Sequence, residues 1–413
     1  MKVAIVSYIY DPQAGGGAVR SARMLAQGLA DRGDAVAVIT TARERRLRVE
    51  REGDVTVYSF LPWNLYWVGD KDEQPMWKRV PWQLLDVWNP HAYRVVRGIL
   101  RRERPDIVHV NKLRGLSPSV WAAARAEGIP IVHTCRDYEL FSPLGTLEGR
   151  VGAWAERGVW FMRPYSSLRA RLSRAVAAAV APSRYTLDAH LRRGFFPRAT
   201  SRVIPNSHGL TLEALERVRG ASRVSDGPEV RLLYLGRLEK AKGVDLLCEA
   251  VAACADRCPN LRLDVAGWGT LKDALRRRYE GHPRIAFHGA VFGEAKARLL
   301  AECDAMVVPS VYPEIFGNVV VEAYAFGKPV IAAASGGLPE LVAPGETGWL
   351  VPPADARALA EVIGRIAGEP ALARRMVPAC FGAARRYAVE RVVEEYRALY
   401  QAVLEGRGGE NAH

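Results

Sequence analysis

Two carboxylates, Glu314 and Glu322, stand eight positions apart in Pro313-Glu314-Ile315-Phe316-Gly317-Asn318-Val319-Val320-Val321-Glu322, where a short apolar run gives way to a helix-like one. Gly317 and Asn318 open that helix, so the amides of Phe316 to Val319 have no intrahelical acceptor. Together with the helix dipole they favour a phosphate. Glu322, in the first turns, offers an acceptor pair for vicinal hydroxyls such as those of a ribose, and Glu314 faces whatever the phosphate carries. The plainer alternative is a surface loop followed by a helix-start glutamate, since acidic residues favour that end anyway.

A second constellation supplies cations. The apolar run Leu232 to Leu235 ends in Gly236-Arg237-Leu238-Glu239-Lys240-Ala241-Lys242-Gly243. Arg237 and Lys242 flank a turn at a strand's carboxyl end, where a planar guanidinium and a flexible ammonium suit a diphosphate. Gly267-Trp268-Gly269 closes the next apolar run, and missing β-carbons there would let a ligand approach the backbone. Other signals are weaker. Asp70-Lys71-Asp72 has a metal-binding Asp-x-Asp spacing, but it adjoins Glu73 in a charged loop and reads as a solvated turn, so no metal site is expected. No Walker A or Gly-x-Gly-x-x-Gly stretch supports ATP hydrolysis or nicotinamide chemistry. Arg43 to Arg48 and Arg276 to Arg278 read as charge runs on solvated faces.

Positioning these groups requires strands that end where the loops begin. Val3 to Ile9, Val36 to Thr40, Ile107 to Val110, Ile131 to Thr134 and Val176 to Ala181 are short and apolar, as buried parallel strands are. Between the first two, Ala18, Ala22, Leu25 and Leu29 recur at helical steps as far as Gly33. The alternation repeats at Leu232 to Leu235, Leu261 to Ala266, Ile285 to His288, Ala305 to Val308 and Val330 to Ala333, with helices at 244–256, 293–303 and 317–326. Helices near 355–368 and 389–404 close the chain. A chain of 413 residues with two such series predicts two doubly wound domains, 1–205 and 206–388, with ligands at the strands' carboxyl ends. The helix at about 389–404 is expected to pack back on the first domain, and 406–413 to be a disordered tail. Six cysteines without Cys-x-x-Cys spacing predict buried free thiols. Residues 60–90 hold five of the ten tryptophans among several prolines and are expected to form neither regular helix nor strand.

Taken in order, these motifs resemble the retaining nucleotide-sugar glycosyltransferases of family 4, most strongly from Val230 to Pro353. The resemblance implies an α/β protein of the GT-B fold, two Rossmann-like doubly wound domains facing across a cleft. In that family the Glu-x7-Glu pattern, here Glu314 and Glu322, binds the donor's sugar hydroxyls and ribose. Gly-Arg-x4-Lys-Gly, here Gly236-Arg237 to Lys242-Gly243, binds its diphosphate. Gly336-Gly337-Leu338-Pro339-Glu340 and Gly345-Glu346-Thr347-Gly348 also fit the family. The implied donor site thus gathers Gly236, Gly267, Gly269, Val291, Phe316, Gly317, Asn318, Val319 and Glu322, with Gly16 and Gly17 of Gly15-Gly16-Gly17 from the first domain. Arg237, Lys242 and Glu314 are the expected catalytic residues there. His133-Thr134-Cys135-Arg136-Asp137-Tyr138 resembles the stretch where relatives carry an active-site histidine just before Asp-Tyr. Here Arg136 holds that place, and His133, Arg136 and Asp137 are expected to line the cleft. His109 is expected to be a core or rim histidine.

The implied activity is metal-independent transfer, with retention, of a sugar from a nucleoside-diphosphate donor, a UDP-sugar first and GDP-mannose next, to an acceptor hydroxyl. No cofactor is implied. The net charge is +13, and residues 1–205 hold 32 Lys+Arg against 19 Asp+Glu, so the whole excess lies in that half. With the tryptophans, this points to a saccharide or lipid-linked acceptor at an anionic membrane surface rather than to nucleic acid. The opening Met1-Lys2-Val3-Ala4-Ile5-Val6 reaches Asp11-Pro12 too soon for a secretory segment, so a cytoplasmic protein, peripheral on the inner face of the membrane, is expected. The alternatives are a sugar-nucleotide epimerase of the same fold and a non-catalytic basic module that binds membrane or nucleic acid.

Overall fold

A computed structural model describes residues 1–11, 16–160, 163–222 and 227–406. Gly15, the expected tail beyond 406 and the side chains of Lys71 and Asp72 lie outside the described residues. The chain forms two units, one of Met1–Pro205 with Val392 onward, the other of Asn206–Arg391.

In the first unit, most strands form from short runs rich in Val, Ile and Ala, because their side chains are apolar on both faces. The strands are β1 (Lys2–Val6), β2 (Ala35–Thr41), β3 (Arg48–Glu52), β4 (Val55–Phe60), β5 (Ile107–Val110), β6 (Ile131–Thr134), β7 (Ala178–Ala181) and β8 (Thr200–Val203). The sheet order is β3-β4-β2-β1-β5-β6-β7-β8, with β3 and β8 as polar strands at the two edges. All pairs are parallel except β3 with β4, which is antiparallel from Arg48↔Ser59 to Glu52↔Val55. The order reverses at β1, between β2 and β5, so the carboxyl ends of β1 and β5 border a topological switch point, where such sheets bind ligands. The run Arg43 to Arg48, read as a solvated charge run, leads into β3, a fully exposed charged edge strand of the kind that resists edge-to-edge pairing.

The second unit has β9 (Val230–Leu235), β10 (Leu261–Ala266), β11 (Ile285–Gly289), β12 (Ala305–Val308), β13 (Val330–Ala333) and β14 (Gly348–Val351), all parallel, in the order β11-β10-β9-β12-β13-β14. Its switch point lies between β9 and β12. Apolar side chains cover both faces of the sheet, with Leu232, Val265 and Ile363 among those on one side and Met306, Val320 and Tyr324 on the other. All six cysteines are free and buried. No described helix is long and apolar enough to cross a membrane.

Two helices depart from the sequence expectation, both with an internal proline. Met76–Leu85 is helical despite Pro81. Its neighbour Trp82 is buried, stacks on Tyr66 at 5.5 Å and donates from Nε1 to the Tyr66 carbonyl at 2.9 Å, an anchor that offsets the one hydrogen bond proline removes. Ala371–Ala384 is likewise helical around Pro378, because Met376, Cys380 and Phe381 pack into the core.

Candidate functional site

In the second unit the two loops that leave the switch strands are joined directly. Lys242 Nζ, at the end of the short helical turn Lys240–Lys242 that follows β9, lies 2.6 Å from Glu314 Oε1 in the loop after β12. Ser310 Oγ donates to the same oxygen at 2.6 Å. The amides of Val311 and Tyr312 both donate to the Ala241 carbonyl at 3.0 Å, so the loops are also stitched through their backbones. Gly243 is required at this seam, because its φ is +67° and a β-carbon would come within 2.1 Å of the Pro309 carbonyl oxygen.

Glu314 is held from a second side. It bridges Gly336 in parallel fashion, and the Gly337 amide donates to its carbonyl at 2.7 Å. Gly336 has φ +62°, and a β-carbon there would lie 2.1 Å from the Glu314 oxygen. The Gly336-Gly337 stretch therefore serves to seat Glu314.

Eight residues on, Glu322 belongs to the helix Asn318–Tyr324, is almost fully buried, and pairs with Lys296 Nζ at 2.6 Å from the helix Gly293–Glu302. Lys296 carried no motif, and only its three-dimensional partner reveals it. Asn318 Oδ1 accepts from Asn206 Nδ2 at 2.8 Å, a second residue that sequence reasoning missed. Phe316 points its ring into the core, edge-on to Tyr387, so only its backbone is left to meet a ligand. Val319 and Val291 are half-buried against the same core.

Arg237 is exposed immediately after Gly236, and its carbonyl accepts from the Tyr234 hydroxyl at 2.6 Å, which pins the turn. The loops after β9, β10 and β11 are tied by Gly236 N to Ala266 O at 3.1 Å, Leu238 N to Trp268 O at 2.7 Å and Gly267 N to Gly289 O at 2.7 Å. The close approach that Gly267 and Gly269 permit is to this backbone. Their β-carbons would lie 1.7 Å from the Gly236 oxygen and 2.4 Å from the Leu238 oxygen, so internal packing by itself requires glycine at both positions.

At the switch point of the first unit, Gly16 has φ +123° and precedes Gly17, the first residue of the helix Gly17–Ala30. Asn111, just past β5, donates from Nδ2 to the Ala18 carbonyl in that helix's first turn at 3.0 Å and accepts from Arg136 Nε at 2.9 Å. Lys112 Nζ lies 2.5 Å from Asp137 Oδ2 and 4.4 Å from the Tyr8 ring centroid. Burial disfavours both charges, yet each group stabilises the other. The Lys112 ammonium is held above its ordinary value and the Asp137 carboxyl below its own. Arg136 and Asp137 thus meet two partners, Asn111 and Lys112, that sequence reasoning had not named.

His133 does not join them. As a β6 residue it is 2% exposed and packs edge-on to Trp121 at 5.2 Å and beside Phe196 at 5.3 Å. Burial, assisted by nearby His190, pushes its pKa down to about 3. A neutral imidazole in an aromatic core cannot reach a substrate, so the cleft-lining expectation for His133 is withdrawn. His109 is a core histidine with both nitrogens engaged, Nδ1 at 2.5 Å from the Tyr400 hydroxyl and Nε2 at 2.8 Å from Thr134 Oγ1. Tyr396, on the same C-terminal helix Val389–Leu404 as Tyr400, also accepts from Arg136 at 3.3 Å.

Below Arg136 and Asp137 lies a buried charge cluster. Arg169 donates to the carbonyls of Glu139 at 2.9 Å and Asp86 at 3.1 Å, with its guanidinium 3.8 Å from the Asp86 carboxylate. Burial pushes the Asp86 carboxyl up to about 7 despite Arg169. It raises Glu139 as well, with Asp137 adding to the effect.

The chain that carries a lysine–glutamate pair at one switch point, a second pair on the helices behind it and an Arg–Asn–backbone network at the other is similar to known proteins. A family model described as Glycosyltransferase Family 4 covers residues 15–208, and one described as Glycosyl transferases group 1 covers residues 229–369. The chain belongs to the glycosyltransferases of the GT-B fold. An uncharacterised 42.6 kDa protein in the cps region of Klebsiella pneumoniae is 28% identical over 83% of this chain and 87% of its own length. A phosphatidyl-myo-inositol mannosyltransferase of Mycobacterium leprae is 27% identical over 76% of this chain and 78% of its own. Among solved structures, sucrose-phosphate synthase from Thermosynechococcus elongatus matches with a TM-score of 0.74 at 23% identity, over 98% of this chain and 99% of its own. Anabaena HepE, solved in complex with UDP, matches with a TM-score of 0.68 at 21% identity, over 97% and 100%. This glycosyltransferase shares their fold.

Proposed function

We propose that this glycosyltransferase moves a sugar, with retention of anomeric configuration, from a nucleoside-diphosphate donor to an acceptor hydroxyl in the synthesis of a cell-surface polysaccharide or glycolipid. The observation that carries the reading is the Lys242–Glu314 pair at the switch point of the second unit. Glu314 faces the transferred sugar and Glu322 the ribose. Arg237, Lys242 and the backbone amides from Phe316 to Val319 take up the charge that grows on the leaving diphosphate. The acceptor oxygen bonds to the anomeric carbon as the bond from that carbon to the phosphate oxygen breaks. The departing nucleoside diphosphate accepts the acceptor's proton, so no protein nucleophile is needed. No metal is required, because the cations of the chain carry the diphosphate charge.

A UDP-sugar is the favoured donor, supported by the UDP complex of a protein with the same fold. A saccharide or lipid-linked acceptor on the cytoplasmic face of a membrane is supported by the lipid in the name of the Mycobacterium leprae relative and by the basic first unit. The test is thermal melting against UDP- and GDP-sugars followed by assay of nucleoside diphosphate release and of the product anomer. Stabilisation by ligand follows RT ln(1 + [L]/Kd), about 2.7 kcal/mol at 100 times Kd. Stabilisation by none of them, or inversion in the product, would refute the reading. An epimerase would give an altered sugar nucleotide with no acceptor product, and a binding module would release no diphosphate.

A further inference from the structure

Among the large exposed apolar side chains, six lie on two segments of the first unit. Trp77 is 71% exposed, Leu84 69%, Trp160 76%, Leu85 44%, Trp88 42% and Trp154 37%. On the helix Met76–Leu85, Trp82 turns inward while Trp77 and Leu84, seven residues apart, share the outer face. Trp154 belongs to the helix Gly149–Arg157, which Trp160 follows and which leads into the helix Arg163–Leu172. The two segments are joined beneath the surface, because buried Arg169 of the last helix grips the carbonyl of Asp86, one residue beyond Leu85. A buried ion pair thus ties the helix Arg163–Leu172 to the end of Met76–Leu85, and the two segments form a wall that carries exposed indoles and leucines.

The charges on these two segments are mostly basic. Residues 76–85 hold Lys78 and Arg79 and no acid, and residues 149–175 hold, besides the buried Arg169, five arginines against one glutamate, Glu156. Lys78 Nζ sits 5.3 Å from the centre of the Trp77 ring, which sets a cation beside an exposed indole. Exposed apolar area of this kind needs an occupant. A protein partner of ordinary composition is not selected by a rim of arginines, whereas an anionic lipid surface takes the indoles at headgroup depth and pairs the cations with phosphate.

We infer that the outer face of Met76–Leu85, together with Trp88, Trp154 and Trp160, is a docking surface for an anionic bilayer. This deepens the membrane-borne acceptor of the reading above and rests on it for its biological sense. It does not depend on the donor chemistry.

The experiment is co-sedimentation of the full chain with phosphatidylglycerol/phosphatidylcholine vesicles and with phosphatidylcholine alone, across a salt series, for wild type and for Trp77→Ser/Leu84→Ser. Melting with and without UDP provides a check of fold and donor site. The expected result is at least tenfold stronger partitioning to the anionic vesicles, falling with salt, and at least a tenfold loss in the double variant with its UDP-dependent melting shift intact. Wild type left in the supernatant at low salt, or a double variant that binds as wild type does, would overturn the inference. So would a dimer in sedimentation velocity that the double variant abolishes, since a second copy would then be the occupant. If the variant melts early, Arg157→Glu/Arg163→Glu tests the same surface through its charge, with the same loss expected. A retained UDP shift without vesicle binding defeats only the docking surface, and loss of the UDP shift in wild type defeats the donor reading instead.

Discussion

Lys242 and Glu314, 72 positions apart in the chain, form a 2.6 Å ion pair that ties together the loops leaving adjacent strands β9 and β12. The pair keeps a cation at the switch point ordered, with its charge balanced by the Glu314 carboxylate. Lys242→Ala is expected to lower turnover at least tenfold, about 1.4 kcal/mol of transition-state stabilisation. A folded variant with unchanged kcat/KM would take Lys242 out of the site.

The two glutamates differ in their surroundings, one in a loop beside Ser310 and the other buried against Lys296. Glu314→Gln is expected mainly to lower kcat, and Glu322→Gln mainly to weaken donor binding. Lys296→Met, which strands the Glu322 carboxylate without this partner, is expected to cost on the order of 2 kcal/mol of stability by urea unfolding. Steady-state kinetics on the two glutamine variants checks the division, and the same pattern in both would contradict it.

Gly336→Ala tests whether the backbone around Glu314 is part of the machinery. A β-carbon 2.1 Å from the Glu314 oxygen, at φ +62°, must push the loop aside. The expected outcome is a loss of turnover of tenfold or more with the folded circular-dichroism spectrum retained. Wild-type kinetics would show that the position of Glu314 does not matter.

The buried histidine of β6 makes stability depend on pH in a way a variant can isolate. The folded pKa of His133 is about 3, below the ordinary value of 6.5, so the unfolded chain binds a proton that the folded one refuses as pH falls below 6.5. That stability is fully present above pH 6.5 and is lost on acidification. Raised Asp86 and Glu139 act in the opposite sense, but they are common to wild type and variant and cancel in the comparison. Between pH 7 and 5, wild type is expected to lose about 2 kcal/mol more than His133→Phe in urea titrations. Parallel losses would mean that His133 is protonated in the folded state.

Turnover is expected to survive EDTA, with no gain on adding manganese or magnesium. Among the described residues no group of three His, Cys, Asp or Glu could hold an ion. Activity abolished by EDTA and restored by either metal would overturn the proposal that Arg237 and Lys242 suffice.

Much of this arrangement was legible in residues 230–353, because parallel strands read as apolar runs and the loop residues that meet at a switch point follow them at short, fixed offsets. Lys242, Glu314 and Glu322 stand at such offsets. Lys296 and Asn206 do not, since each meets its partner through tertiary packing and carries no local pattern. His133 shows the opposite failure. A strand covered on both faces buries every side chain, so a polar residue inside it gives no sign of pointing inward. Proline counted against a helix at Met76–Leu85, yet burial of Trp82 next to Pro81 outweighs the missing hydrogen bond.

The hydrogen bond between His109 and Tyr400 spans 291 positions. A ribosome adding about 5–20 residues per second needs roughly 15 to 60 seconds to make that interval. Through most of that time β5 has emerged and Thr134 is at hand for His109 Nε2, while the Tyr400 hydroxyl that meets Nδ1, and that of Tyr396 beside Thr134, do not yet exist. The unit that is synthesised first is therefore the one completed last. A fragment ending at Pro205 leaves a buried imidazole without its tyrosine, so the nascent first unit must wait, incompletely closed, while the whole of Asn206–Arg391 is made.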